Sequence, residues 1–135
     1  MTKILLVEDN EMNRDMLGRR LGRSGFTVCF AVDGPSGVTM AHSEMPDLIL
    51  MDVALGEMDG WEATRLIKRN PQTANIPIIA LTAHALASDR ETSVKMGCVE
   101  FDTKPVDMPR LLSKIRGCLP NVVESDRQIA SGSSR

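Results

Sequence analysis

Aromatic side chains are nearly missing: three Phe, one Trp and no Tyr in 135 residues. A surface that stacks nucleobases has little to be built from. Neither charge sign dominates, with 16 Lys and Arg against 18 Asp and Glu and a net charge of -2. No sequence-wide field pulls the chain toward nucleic acid. Cysteine is sparse and odd in number. Cys29, Cys98 and Cys118 lie far apart with no C-x-x-C, which suggests neither a zinc site nor a redox motif. Free thiols in a reducing compartment are expected. No apolar stretch approaches the ~18 residues of a membrane span. A strand beginning by Ile4 leaves no room for a signal peptide. The expectation is a cytoplasmic protein with no nucleic-acid or membrane partner.

What is present is short, abrupt hydrophobicity. Ile4-Leu5-Leu6-Val7 runs into Glu8-Asp9, Leu48-Ile49-Leu50-Met51 into Asp52, and Ile78-Ile79-Ala80-Leu81 into Thr82. A weaker run, Val99 to Asp102, leads to Thr103-Lys104-Pro105. Such runs, separated by helical patterns, read as strands buried on both faces of a parallel sheet. The expected strands are 3–7, 27–31, 47–51, 77–81 and 98–102. The expected helices are 11–24, one opening at Pro35, one with Trp61, Leu66 and Ile67 facing inward, 87–96 and 107–118. Asn10 suits an N-cap and Gly25 a C-terminal stop. The fourth helix has a poor apolar stripe, so dimerisation stays open and a monomer or weak homodimer is expected.

Five alternating strand–helix units predict an α/β fold, doubly wound, with right-handed crossovers and helices on both faces. Residues 1–119 form one domain of ordinary size with room for a core. Residues 120–135, rich in Asn, Ser, Asp and Gly, read as a disordered tail.

Ligands of open sheets bind outside the carboxyl ends of the strands. Glu8, Asp9, Asp52, Thr82 and Lys104 are therefore predicted to converge at one sheet edge. Asp52 is placed to attack phosphorus and hold an acyl phosphate. Three neighbouring carboxylates repel in a low-dielectric pocket, and a hard cation relieves the repulsion. Magnesium suits them, because it binds through one or two carboxylates and shares phosphate oxygens; manganese could substitute. Thr82 can donate to a phosphoryl oxygen, and Lys104 can meet one as a point charge. Singly, each residue reads as well or better as a cap, a turn or a solvated charge. Jointly, their order along consecutive strands is specific.

That order resembles the receiver domain of two-component response regulators. The resemblance covers about residues 2 to 119. It rests on Val7-Glu8-Asp9-Asn10, Leu48-Ile49-Leu50-Met51-Asp52, Met58-Asp59-Gly60, Leu81-Thr82-Ala83 and Thr103-Lys104-Pro105. It implies a flavodoxin-like sheet of order 2-1-3-4-5 and Asp52 as phosphoacceptor. Glu8, Asp9, Asp52 and the backbone carbonyl of Ala54 are implied as metal ligands, with Thr82 and Lys104 assisting. It also implies a switch of Thr82 and Phe101, with Phe101 turning inward and the helix-four surface binding a partner. The phosphodonor is a histidine kinase or histidine phosphotransfer protein. The implied activity is self-directed phosphoryl transfer and hydrolysis, not that of a separate enzyme.

Three departures stand out. Gly56 replaces the usual proline, Phe101 the more frequent tyrosine, and His84 lies two residues past Thr82. Ala54 and His84 are expected to flank the path of attacking water and to set phosphoryl lifetime. Three other readings carry less. A haloacid-dehalogenase-type phosphohydrolase wants an Asp where Ala54 stands. A flavin carrier wants a phosphate loop where Glu8-Asp9 would repel one. A receiver-like module that binds partners without phosphorylation is opposed by the intact acidic set.

Overall fold

The computed structural model describes residues 2–55, 58–83 and 87–119. The expectations for Gly56, His84 and the tail from residue 120 lie outside the described residues. Five strands, β1 (Lys3–Val7), β2 (Thr27–Ala31), β3 (Leu48–Asp52), β4 (Ile78–Thr82) and β5 (Glu100–Thr103), form one parallel sheet. Their order is β2-β1-β3-β4-β5, as expected. Helices α1 (Glu11–Arg23), α2 (Gly34–Glu44), α3 (Gly60–Arg69), α4 (Ala87–Met96) and α5 (Met108–Cys118) follow the strands in turn.

Alternation along each strand sends successive side chains to opposite faces. Ile4, Leu6, Leu48 and Leu50 pack with Leu17 and Leu21 of α1 and Leu111 and Ile115 of α5. Leu5, Val7, Ile49 and Met51 pack with Ala41 of α2 and with Ala63 and Ile67 of α3. Both faces are covered, so a central strand must be apolar at every position. All five residues of β3 and of β4 are buried. Removing one such side chain, as in Leu50→Ala, costs about 2–5 kcal/mol.

Local chemistry sets the element ends. Asn10 caps α1, its side chain accepting from the Asn13 N–H at 2.9 Å. Gly25 follows α1 with φ +97°, a conformation that favours glycine. Asp33 and Ser36 cap α2 reciprocally. Three strands differ from expectation at both ends. β3 and β4 each start and end one residue later, leaving out Asp47 and Pro77 and taking in Asp52 and Thr82. β5 ends at Thr103 rather than Asp102 and begins at Glu100 rather than Cys98, because the Cys98 N–H is engaged by the Ser93 carbonyl of α4 at 2.9 Å.

The inward face of α3 also differs. Ile67 is buried, but Trp61 and Leu66 are only half-buried, and Gly60, Ala63 and Thr64 face the sheet instead. Small residues let the helix approach closely. A Cβ at Gly60 would stand 2.3 Å from the carbonyl oxygen of Asp52. The helix start is thus pressed against the end of β3.

Candidate functional site

The switch from β1–β2 to β1–β3 connections opens a crevice at the carboxyl edge of the sheet, where ligands of such folds bind. β1, β3, β4 and β5 deliver Glu8, Asp52, Thr82 and Lys104 to it. Oxygens of Glu8, Asp9 and Asp52 all lie within 4.8 Å of one another. Glu8 and Asp52 are each 2% exposed, while Asp9 faces solvent. The expected convergence of the acids with Lys104 is present.

Lys104 bridges the two buried carboxylates. Its Nζ lies 3.0 Å from Glu8 Oε1 and 3.1 Å from Asp52 Oδ2. Thus the chain itself supplies one cation that offsets the repulsion between the acids. The peptide between Lys104 and Pro105 is cis. The Lys104 N–H donates to the Thr82 carbonyl at 2.7 Å, joining the ends of β4 and β5. Thr82 is itself buried.

Two further contacts hold the acids. The Ala54 N–H donates to Asp52 Oδ1 at 3.0 Å, closing the turn after β3. The Asn10 N–H donates to Glu8 Oε2 at 3.1 Å, and Arg14 Nη1 donates to the Glu8 carbonyl at 2.8 Å. Sequence reasoning missed Arg14. The signal was available, since Arg14 lies one helical turn beyond the Asn10 cap and so turns back toward the acidic turn.

Burial is the largest influence on Glu8 and raises its pKa above the ordinary carboxylate value. The Asp52 charge adds to this, while hydrogen bonds from Lys104 and Asn10 oppose it. For Lys104 burial alone would lower the pKa, but hydrogen bonds and charge from Glu8 and Asp52 outweigh it and raise the net value. Lys104 is therefore held as an ammonium.

A hard divalent cation fits these residues. The donor set is oxygen only, two members are buried and fixed, and the third opens to solvent where a metal could retain water. Beside the pocket lies a mainly apolar cavity of about 410 Å³ between α1 and the start of α5, lined by Asn13, Met16, Leu17, Val106 and Met108.

On the other flank Phe101 is 7% exposed and lies inward. Arg90 of α4 stands 4.9 Å from its ring centre and Lys114 of α5 stands 5.8 Å away. A phenyl ring carries no hydroxyl to draw it toward water, and cations over its face favour this position. The inward turn expected of Phe101 has little distance left to cover.

Residues 4–116 match the family model of the response regulator receiver domain. The polar-differentiation response regulator DivK of Brucella ovis is 36% identical over 120 residues, 88% of this chain and 98% of DivK. The receiver domain of a sensor histidine kinase from Pseudomonas aeruginosa, solved with magnesium coordinated in its active-site cleft, superposes with a TM-score of 0.82. It is 36% identical, over 88% of this chain and 98% of that one. The chemotaxis protein CheY4 of Vibrio cholerae gives a TM-score of 0.83 at 26% identity, over 87% and 98%. Receiver domains serve as phosphorylation switches, are phosphorylated by histidine kinases in response regulators, and bind magnesium in the active site. On the match to nearly all of its described residues, the chain belongs to the response-regulator receiver family.

Proposed function

We propose that the chain is a phosphorylation-controlled interaction module whose phosphoacceptor is Asp52. The observation that carries this reading is the buried Asp52 carboxylate at the end of β3, with Glu8 and Asp9 within 4.8 Å and Lys104 at 3.1 Å. A carboxylate oxygen of Asp52 attacks phosphorus of a donor phosphohistidine. The new O–P bond forms as the N–P bond breaks, and the electron pair returns to the donor imidazole. The protein contributes mainly position and charge. The cavity between α1 and α5 leaves room beside the pocket for the donor to approach.

Glu8, Asp9, Asp52 and the carbonyl of Ala54 would hold magnesium. When bound, the ion supplies positive charge shared between the carboxylates and the phosphoryl oxygens. Lys104 then exchanges a carboxylate partner for a phosphoryl oxygen, and Thr82 donates its hydroxyl to another. Because Lys104 N and Thr82 O are bonded, both strand ends move together. Phe101 lies inward beforehand, so the change is read chiefly in the position of α4 and β5, where a downstream protein binds. Water later hydrolyses the acyl phosphate, so both phosphoryl transfer and hydrolysis take place on the chain's own Asp52. Ala54, exposed beside Asp52, and His84 set how long that takes.

The test is incubation with magnesium and acetyl phosphate, read by intact mass. One phosphoryl group is expected on the parent and none on Asp52→Asn. Labelling of that variant to the parent's level removes Asp52 as nucleophile.

A further inference from the structure

Asp102 sits within β5 where a strand neighbour would ordinarily be apolar, next to Leu81 in the sheet register. It is 3% exposed. Its Oδ1 accepts from Arg110 Nε at 2.7 Å and from the Thr103 N–H at 2.8 Å, with Lys114 Nζ at 3.6 Å. Its Oδ2 is buried with no hydrogen-bond partner among the described residues. A buried charge so incompletely matched is costly, and such a group calls for an explanation. Asp102 takes no part in the acidic pocket.

The two cations that meet Asp102 also grip its neighbours. Arg110 Nη2 lies 3.4 Å from both the carbonyl and the hydroxyl of Thr103. Lys114 donates to the Phe101 carbonyl at 2.7 Å, stands over the Phe101 ring, and lies 3.9 Å from Glu100. Among the described residues β5 ends the sheet, and no further strand pairs with its outer edge. There α5 cations take the place of that strand. Both bind Asp102, one residue from Phe101 and two from Lys104.

We infer that Asp102, acting through Arg110 and Lys114, is a positioning residue that fastens β5 to α5. In this way a movement of Lys104 is carried along the strand to Phe101 and the α4 surface. An apolar residue at 102 would pack against Leu81 but would leave Arg110 and Lys114 without their shared anchor. Lys104 could then follow a phosphoryl group while Phe101 and α5 stayed behind. This inference rests on the proposed role of Asp52 and deepens it.

The experiment uses magnesium with beryllofluoride, which occupies an acceptor carboxylate as a phosphoryl mimic, and reads backbone amide shifts. In the parent, shifts are expected both near Asp52 and across residues 87–101 and α5. In Asp102→Leu, the mimic is expected to bind with unchanged shifts near Asp52. The response of 87–101 should shrink by at least about twofold, the lower end of coupling effects from residues that touch neither site. Lys114→Met should do the same and Lys114→Arg should restore the response. These two changes lie at a half-exposed position and decide the matter if Asp102→Leu does not fold. A full distant response in Lys114→Met overturns the inference while leaving Asp52 in place. No response near Asp52 in the parent overturns the functional reading and this inference with it.

Discussion

α3 and α4 have the same length, ten residues, and flank the same end of the sheet, yet they are held in different ways. α3 buries Gly60, Ala63, Thr64 and Ile67. Asp59 caps it, and its Lys68 donates to the carbonyls of Ala74 and Ile76 at 3.0 and 2.6 Å. Among the described side chains of α4, only Ser93 is buried, and Val94 is 70% exposed. Thr92 and Ser93 bond back to carbonyls of their own helix, a pattern that slightly weakens it. The lesson is a division of labour. α3 presses Gly60 against Asp52 and fixes the acceptor. Among the described residues, Arg90 on Phe101 and the Ser93–Cys98 backbone bond tie α4 to β5, and with one buried side chain the helix belongs to the low-stability regions from which moving elements are drawn.

The largest expected effect breaks the fixed half chemically. Asp52→Asn should lose acetyl-phosphate labelling completely by mass measurement, with the α3–α4 difference unaltered. Next is Lys104→Met, which leaves Glu8 and Asp52 buried without their shared cation. Metal-free stability should fall by about 1–3 kcal/mol, the usual cost of an unmatched buried polar group. Magnesium should restore part of it, because the pocket becomes more negative. Denaturant titration with and without magnesium checks both points, and unchanged stability would mean the bridge contributes nothing.

Asp9→Ala should separate metal binding from stability. Magnesium affinity should weaken by about tenfold or more. Metal-free stability should stay within ~0.5 kcal/mol, as for other surface changes. Asp9 faces solvent and Lys104 already offsets the two buried acids, so little repulsion is left to relieve.

Glu8 gives a pH dependence of definite sign. Its folded pKa is raised above the ordinary 4.5. Its contribution to metal-free stability is therefore full below 4.5 and lost as pH rises through the raised value. Magnesium needs the ionised form, so the metal-induced rise in Tm should be smaller at about pH 5 than at pH 7. An equal rise at both would contradict the burial of Glu8.

The smallest effect sharpens the comparison at the junction of the two helices. Burial raises the Cys98 thiol to about 11 from 9.0, so at pH 8 its thiolate is about 100-fold scarcer than that of an ordinary thiol. Cys98 packs on the α3 side of the core and its N–H is tied to α4. Alkylation should proceed through opening of α4 and slow further with beryllofluoride bound. Rates indifferent to the mimic would argue that α4 does not gate this thiol.

Much of this arrangement was legible because the central strands β1, β3 and β4 are buried on both faces. Continuous apolar runs ending in Glu8, Asp52 and Thr82 therefore marked both the sheet and its functional edge. What escaped was long-range or fine in scale. Lys104 was expected to await a phosphate, but in the fold it meets Glu8, 96 residues away in sequence. Asp102 passed as one acid in a weak strand, because its partners Arg110 and Lys114 belong to the next helix. Trp61 and Leu66 drew attention by size, whereas close approach at the site required the small residues Gly60 and Ala63.

The most direct test of the division between a fixed acceptor and a moving reader is amide hydrogen exchange of α3 and α4 in one sample, with and without magnesium and beryllofluoride. Without the mimic, α4 should exchange faster than α3. With it, α4 should slow and α3 should not change. Equal protection of the two helices in the free protein, or an equal response of both to the mimic, would contradict the division.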